Sequence, residues 1–300
     1  MARPFLTVIA GPTASGKTAL ALELARRLGG EIVSADSQQV YRHFDIGTAK
    51  PTADDLAGVP HHLISAVDPH EAFSAARFQQ LADEAIAAIA RRGRRPLVVG
   101  GTGLYVRILL HGVVPAPPAE PDLRRALEHE AREIGREGLH RRLAEVDPET
   151  AARVKSTDLV RIVRALEIHA LTGTTASRFR RDHRFAEDRY SYRLWVLDPP
   201  RDELYRAIDE RTRRLFGAGL VEEVRRLVSL GYRDAAPMRS VGYAQALAHL
   251  EGALTLEEAI RQTARETRRY AKRQLTWFRG EPGAIFLRPP WDLEALAVSD

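Results

Sequence analysis

The chain opens on a short apolar run, Phe5-Leu-Thr-Val-Ile-Ala10, whose β-branched residues and lack of alternation predict a strand buried on both faces of a parallel sheet. From Lys17 the pattern becomes helical through Leu20, Leu22, Leu24 and Leu28, and Gly29-Gly30 stops it. Glu31-Ile-Val-Ser-Ala35 reads as a second strand. A helix is predicted from about Phe78 to Arg92, with Ser74 as N-cap and Gly93 as terminator, followed by a third buried strand, Pro96-Leu-Val-Val-Gly100. The Pro-rich stretch Val114–Pro121 marks a boundary, and from there to about Arg189 only helical patterns occur. One starts at Asp147-Pro148, an N-cap followed by Pro at the first helical position; another runs Asp158–Leu171 and ends at Gly173. Tyr192–Leu197 returns to strand. Helices near 201–216 and 220–230, one after Ser240 and a long one from Thr255 follow, the last opened by a Thr255/Glu258 capping box. A short strand, Ala284–Leu287, precedes a loose tail. The expected fold is α/β: a P-loop-containing parallel sheet flanked by helices, residues 1–113 and 190–300, interrupted by an all-helical insertion at 114–189.

Between the first strand and the first helix stand Gly11, Pro12, Thr13, Ala14, Ser15, Gly16, Lys17 and Thr18, a complete phosphate-binding loop. Such a turn aims unpaired N–H groups and the positive helix end at a phosphate. Lys17 adds a point charge, and Thr18 offers a hydroxyl to a magnesium ion. A chance match would not carry the right strand before it and helix after it. A ligand with a di- or triphosphate is expected here.

Composition narrows the remaining choices. With 300 residues and no Cys, the chain has length for a real core but no disulfide, thiolate metal site or Cys nucleophile. No signal peptide or 18-residue apolar span is seen, so a cytosolic protein without membrane contact is expected. A net charge of +5 is compatible with a polyanionic partner without requiring one. All but four of the basic residues are Arg, and Asn is absent. Against that background Lys17, Lys272 and the seven Gln, among them Gln38, Gln39, Gln245 and Gln274, draw notice.

Open α/β sheets bind ligands beyond the carboxyl ends of their strands, which places Asp36 and Thr102 opposite the phosphate loop. Asp36 suits a water-mediated magnesium contact or proton acceptance from a substrate amine or hydroxyl; as a bare helix N-cap it would do neither. Thr102, between Gly101 and Gly103, either closes a turn or sits where the backbone approaches a ligand closely. The strand before it ends without an acidic residue, unlike the magnesium-holding strand of many ATP hydrolases. On the long C-terminal helix, Ile260, Ala264, Thr267 and Ala271 form an apolar stripe, and Arg261, Arg265, Arg268 and Lys272 a basic ladder beside it. Residues 261–279 carry seven Lys/Arg against one Glu and end in Lys272-Arg-Gln-Leu-Thr-Trp-Phe-Arg279, a mixture suited to a nucleic-acid backbone and its bases, although a charge run is more often a solvated face. Adjacent His61 and His62 diverge and find no further ligands nearby; they are expected to be structural.

The ordered set of motifs resembles the bacterial tRNA dimethylallyltransferase (isopentenyl-tRNA transferase) family. The resemblance rests on the phosphate loop, Asp36-Ser-Gln-Gln39, Asp45-Ile-Gly-Thr-Ala-Lys-Pro51, Pro60-His-His-Leu63, Gly100-Gly-Thr-Gly-Leu-Tyr105, Arg161-Ile-Val-Arg-Ala-Leu-Glu167, Gly219-Leu-Val-Glu-Glu-Val224, Ser240-Val-Gly-Tyr-Ala-Gln245 and the 272–279 segment. It implies that a dimethylallyl group passes from dimethylallyl diphosphate to the exocyclic amine of the adenosine 3′-adjacent to the anticodon, in tRNAs reading codons that begin with U, with release of diphosphate. It further implies that Asp36 takes the amine proton and Thr102 lies at the reacting region. Lys17, Arg211 and Mg2+ at Thr18 would then neutralise the leaving group. By the same resemblance the tRNA anticodon stem–loop meets Asp36, Ser37, Gln38, Gln39, Thr102, Arg124, Val160, Arg161, Ile162, Val163, Arg164, Gln245, Arg268, Lys272, Arg273, Gln274 and Trp277, and the enzyme acts as a monomer. The family usually carries other residues at Ser156-Thr157, Val160 and Ala207. A small-molecule P-loop kinase, a prenyltransferase acting on free adenylate and a non-catalytic RNA-binding protein are the rival readings.

Overall fold

A computed structural model describes residues 3–183 and 188–298. Its contacts divide the chain into two compact units, residues 1–110 with 189–300, and residues 111–188.

In the first unit, β1 (Leu6–Ala10) leads into α1 (Lys17–Leu28), which ends on Gly29 in the left-handed region. β2 (Gly30–Ser34), α2 (Ala53–Gly58) and β3 (His61–His62) follow, then α3 (Ala75–Arg91), β4 (Arg95–Gly100) and α4 (Gly103–His111). Six strands pair in the order β3-β2-β4-β1 with two later strands, β5 (Tyr192–Leu197) and β6 (Ala284–Leu287), beyond β1. Every pairing is parallel. The order in which strands are added reverses at β1, which pairs with β4 on one side and β5 on the other; such a switch point opens a crevice at the strands' carboxyl ends. Apolar side chains cover both faces. Phe78, Ile86, Ile89, Leu109 and Phe278 pack with Val8 and Val98, while Leu20, Leu24 and Trp195 pack with Ile9 and Leu97.

The helical insertion consists of α5 (Pro121–Glu133), α6 (Gly135–Val146), α7 (Pro148–Arg153), α8 (Leu159–Thr172) and α9 (Ala176–His183). Leu127, Leu139, Leu143, Ile162, Val163 and Leu166 form its core. The chain then returns through β5 to α10 (Arg201–Gly217), α11 (Leu220–Ser229), a 3₁₀ turn (Ala236–Arg239), α12 (Tyr243–Leu250), α13 (Leu256–Arg279), β6 and α14 (Leu293–Val298).

The caps read from sequence form as expected. Ser74 accepts from the Arg77 N–H, Asp147 from Thr150, and Thr255 and Glu258 make their reciprocal box. Four elements escape the sequence patterns. β3 has two residues, α2 buries none of its side chains, and α4 follows directly on a Gly-rich turn. The expected loose tail instead holds α14, because Leu296 joins Leu20 and Leu24 in the core beneath α1. His61 and His62 have structural partners: the His61 Nδ1 lies 2.7 Å from the Val59 carbonyl and the His62 Nε2 2.7 Å from buried Glu31.

Candidate active site

The phosphate loop is held open by its own backbone. Ala14 and Gly16 both take positive φ, 63° and 89°, and α1 begins at Lys17 with no side-chain cap on its first N–H groups. Gly11 is required for another reason: a Cβ there would stand 2.9 Å from the Leu197 carbonyl on β5. Beyond the strands lies a cavity of about 830 Å3. The loop lines one side of it, with Asp36–Gln39 after β2, Gly100-Gly101 after β4, Arg211 on α10 and Tyr270 and Gln274 on α13.

Electrostatics in this cavity favour an anion. Burial lowers the Lys17 ammonium to about 7, Arg211 pushes it in the same direction, and the Asp36 carboxylate opposes both. Its Nζ donates to the Pro12 carbonyl at 2.6 Å. Burial also depresses Arg211, again against the pull of Asp36. Arg214 and Arg239 add two further cations to the lining, which the sequence motifs did not single out. A diphosphate would supply the negative charge that the buried Lys17 and Arg211 lack.

Asp36 is not a helix cap. No helix follows it; its Oδ1 accepts the N–H groups of Gln38 and Gln39, at 2.8 and 3.2 Å, and fixes the turn 37–40. The residue itself lines the cavity. The Thr102 Oγ1 accepts the Ser37 N–H at 3.0 Å, and Thr102 hydrogen-bonds the Tyr270 phenol, which burial and the Asp36 charge raise to about 12. Gln39 shapes the opposite wall, donating from Nε2 to the Thr48 and Ala49 carbonyls.

The glycines around Thr102 make room for protein rather than ligand. A Cβ on Gly101 would sit 2.2 Å from the Gln274 Nε2, and one on Gly103 would sit 2.2 Å from the Trp277 ring. α13 is therefore pressed against this turn. Of the expected stripe, Ala264 and Ala271 are buried and Ile260 and Thr267 half-buried; the buried face runs instead through Ala259, Thr263, Ala264, Ala271, Gln274 and Phe278.

Outside the Asp36–Gln39 and Thr102 turns, the residues grouped by resemblance as RNA contacts separate into five kinds. Val160, 80% exposed, and Arg161 lie on the surface at the start of α8, and Lys272 and Arg273 are exposed on α13. Ile162 and Val163, 0% and 4% exposed, belong to the insertion's core and present no surface; apolar residues on the inner side of α8 were grouped with the outer ones by adjacency alone. Arg124 and Arg164 both hold the buried Glu167 carboxylate, and Arg268 pairs with Asp209. Gln274 and Gln245 spend amide groups internally, Gln245 accepting the Gly242 N–H at 2.8 Å. The Trp277 ring is half-buried beneath the Arg107 guanidinium, 4.5 Å from its centroid. Tyr270, like Arg214 and Arg239, is a lining residue that sequence reading missed; it stands one turn before Gln274 on α13.

Among the described residues no group of three or more His, Asp or Glu is placed to hold a metal on its own, and no helix is long and apolar enough to cross a membrane.

A parallel sheet with a phosphate loop after the strand at its switch point, and a cationic cavity beyond, defines a P-loop-type α/β phosphate-binding protein. Comparison with known proteins narrows this class. The chain belongs to the IPP transferase family, whose model matches residues 39–281, and it is a prenyltransferase. It is 69% identical over 290 residues to the tRNA dimethylallyltransferase of Myxococcus xanthus (strain DK1622), covering 97% of this chain and 94% of that one. Among solved structures it is similar to the tRNA isopentenylpyrophosphate transferase of Bacillus halodurans, with 43% identity, a TM-score of 0.69 and 94% and 89% of the two chains covered. It is also similar to a eukaryotic dimethylallyltransferase caught acting on tRNA, with 27% identity, a TM-score of 0.77 and 95% and 74% covered.

Proposed function

We propose that this chain transfers a dimethylallyl group from dimethylallyl diphosphate to the exocyclic amine of the adenosine 3′-adjacent to the anticodon, in tRNAs reading codons that begin with U, releasing diphosphate. The observation that carries this reading is the convergence of the phosphate loop, Lys17, Arg211 and Asp36 on one cavity in a chain of the IPP transferase family. The diphosphate lies in the loop of residues 11–18, whose Thr13 N–H is already held by Gln274. Lys17 and Arg211 answer the charge that grows as the carbon–oxygen bond breaks, and preorganised groups of this kind are worth about 3–4 kcal/mol each. Asp36, already fixed by the Gln38 and Gln39 amides, accepts the proton that the adenine amine loses when its nitrogen bonds the allylic carbon. Thr102 is tied to Ser37 and Tyr270 and sits at the reacting region. The target base has to leave its stack to reach this depth, at a cost of a few kcal/mol.

Mg2+ fits the donor set. Thr18 brings an exposed hydroxyl beside the loop, the sparse protein ligation of an ion that takes most of its oxygens from phosphate and water. Bound there with the diphosphate, it would add positive charge against the leaving group.

The anticodon stem–loop is bound by exposed groups: Val160 and Arg161 on the insertion, Lys272 and Arg273 on α13, with Ser37 and Gln38 at the cavity. The enzyme works in the cytoplasm as a monomer. Incubation with unmodified tRNA and radiolabelled dimethylallyl diphosphate, with labelled ATP in parallel, tests the reading. Label from the prenyl donor should enter tRNA; label entering from ATP alone would replace it with phosphoryl transfer.

A further inference from the structure

The phosphate loop and the turn bearing Thr102 leave neighbouring strands, β1 and β4, which are paired as far as Ala10 and Gly100. Beyond that last pair, a side chain on α13 links the two segments. The Gln274 Oε1 accepts the Thr13 N–H at 2.9 Å, and its Nε2 donates to the Gly101 carbonyl at 2.8 Å. The residue is 6% exposed, and the close fit against Gly101 leaves no room for a Cβ there. The neighbouring turns of α13 grip the same segment: Tyr270 hydrogen-bonds Thr102, and Trp277 packs on Gly103.

We propose that Gln274 is a positioning residue that sets the diphosphate loop and the Thr102 turn in register, rather than a contact for RNA. This deepens, and rests on, the reaction proposed above. The reasoning is geometric. A primary amide carries its acceptor and its donor on two separate atoms, so one Gln side chain can accept from one backbone segment and donate to another at once. Thr13 stands at the mouth of the phosphate loop and Gly101 immediately before Thr102, so the two hydrogen bonds span the distance between leaving group and reacting region. Both backbone groups are strong and would be left unpaired in a poorly hydrated place if the amide were lost, so the turn would shift to find other partners. Displacements of about 1 Å between reacting groups cost up to about a hundredfold in rate. Lys272 and Arg273 are exposed while Gln274 is buried, so adjacent positions on one helix face RNA and catalytic turn respectively.

The test uses the full chain. Gln274→Met keeps the volume and removes both hydrogen bonds; Thr102→Ala is made alone and in combination. Two quantities are read: the affinity for inorganic pyrophosphate with magnesium, and kcat for prenyl transfer at saturating tRNA. Gln274→Met should weaken pyrophosphate severalfold and lower kcat at least tenfold, with KM for tRNA within about twofold. Combined with Thr102→Ala it should cost less than about threefold more than Thr102→Ala alone, because a displaced turn has nothing left to misplace. Unchanged pyrophosphate affinity, multiplicative losses in the double variant, or a selective rise in the KM for tRNA would each overturn the proposal. If the Met variant fails to fold, Gln274→Asn carries the same measurements, since its shorter amide cannot reach both partners. Wild-type enzyme is the control for the reaction itself. Without transfer by wild type the reaction proposed above falls, and the pyrophosphate affinity alone decides the role of Gln274.

Discussion

The Ser37 N–H donates to the Thr102 Oγ1 at 3.0 Å, joining the turn after β2 to the turn after β4. The residues preceding these two turns, Ala35 and Gly100, approach so closely that a Cβ on Gly100 would lie 2.1 Å from the Ala35 carbonyl. The turn bearing Asp36, which lines the cavity, is therefore tied to the turn bearing Thr102, and substitutions in either should behave as parts of a single unit.

Asp36 does two jobs that Asn and Ala separate. Asp36→Asn retains an oxygen for the Gln38 and Gln39 amides and loses the base; its transfer rate should fall by about two to four orders of magnitude. Affinity for tRNA, followed by filter binding, should remain near wild type. A single-turnover rate within threefold of wild type would reduce Asp36 to the turn-forming role.

Lys17 makes diphosphate binding pH-dependent. Its folded-state value lies near 7, below the ordinary value of 10.5, so between these two pH values the unfolded chain holds more protons than the ligand-free fold. This group therefore makes the empty protein more stable as pH rises from 7 to 10.5, and its destabilisation is complete below 7. A bound diphosphate favours the ammonium and reverses the depression. Calorimetry at pH 8 in buffers of different ionisation enthalpy should show wild type taking up more protons on binding pyrophosphate than Lys17→Met does. Equal uptake would remove Lys17 from the site.

The loop should prefer the prenyl donor. No acidic residue closes β4, which ends in Gly100, and four cations surround a cavity that also exposes Leu22, Val99 and Leu215. Titration with dimethylallyl diphosphate and with ATP, each with magnesium, should give the tighter constant for the former. Tenfold tighter ATP would restore the kinase reading.

The basic face of α13 should act through its unpaired members. Lys272→Ala and Arg273→Ala should each flatten the slope of log tRNA affinity against log salt by roughly 0.7–0.9. Arg268→Ala should change the slope less, because Asp209 already answers that charge. Dimethylallyl diphosphate affinity serves as the control and should not move. A slope unchanged in the Lys272/Arg273 double variant would sink the RNA role of this helix.

Glu167 holds the insertion together from within. Burial raises its carboxyl, but hydrogen bonds from Arg124, Arg164 and the Glu120 N–H outweigh that and leave it below the usual value. Stability from this group is present above the unfolded carboxylate range and is lost as pH falls through the lowered folded value. Glu167→Gln should cost about 2–4 kcal/mol, allowing for the partial exposure of both arginines. Thermal melting at pH 7 would show it, with the difference from wild type narrowing in acid.

The local periods of the chain determined β1, the phosphate loop, α1, β2, β4, β5 and the caps at Ser74, Asp147 and Thr255, because each is specified by residues within a few positions of one another. The phosphate chemistry was legible for the same reason: strand, glycines, Lys17 and Thr18 are contiguous, and the position of Asp36 after a strand fixes where it must point. What the tertiary structure decided is which surfaces remain to meet a ligand. Sequence adjacency grouped Val160 with Ile162 and Val163, and Lys272 with Gln274, yet a helix turns about 100° per residue and sends neighbours to opposite sides. Gly101 and Gly103 look alike whether a ligand or a helix comes close; only the packing of α13 shows that Gln274 and Trp277 fill the space. Arg124 and Arg268 carry the same charge as Arg161 in the sequence, and only pairing with Glu167 and Asp209, 43 and 59 positions away, sets them apart. Local pattern fixes the elements and their motifs, whereas burial and the answering of charge depend on residues far apart in the chain.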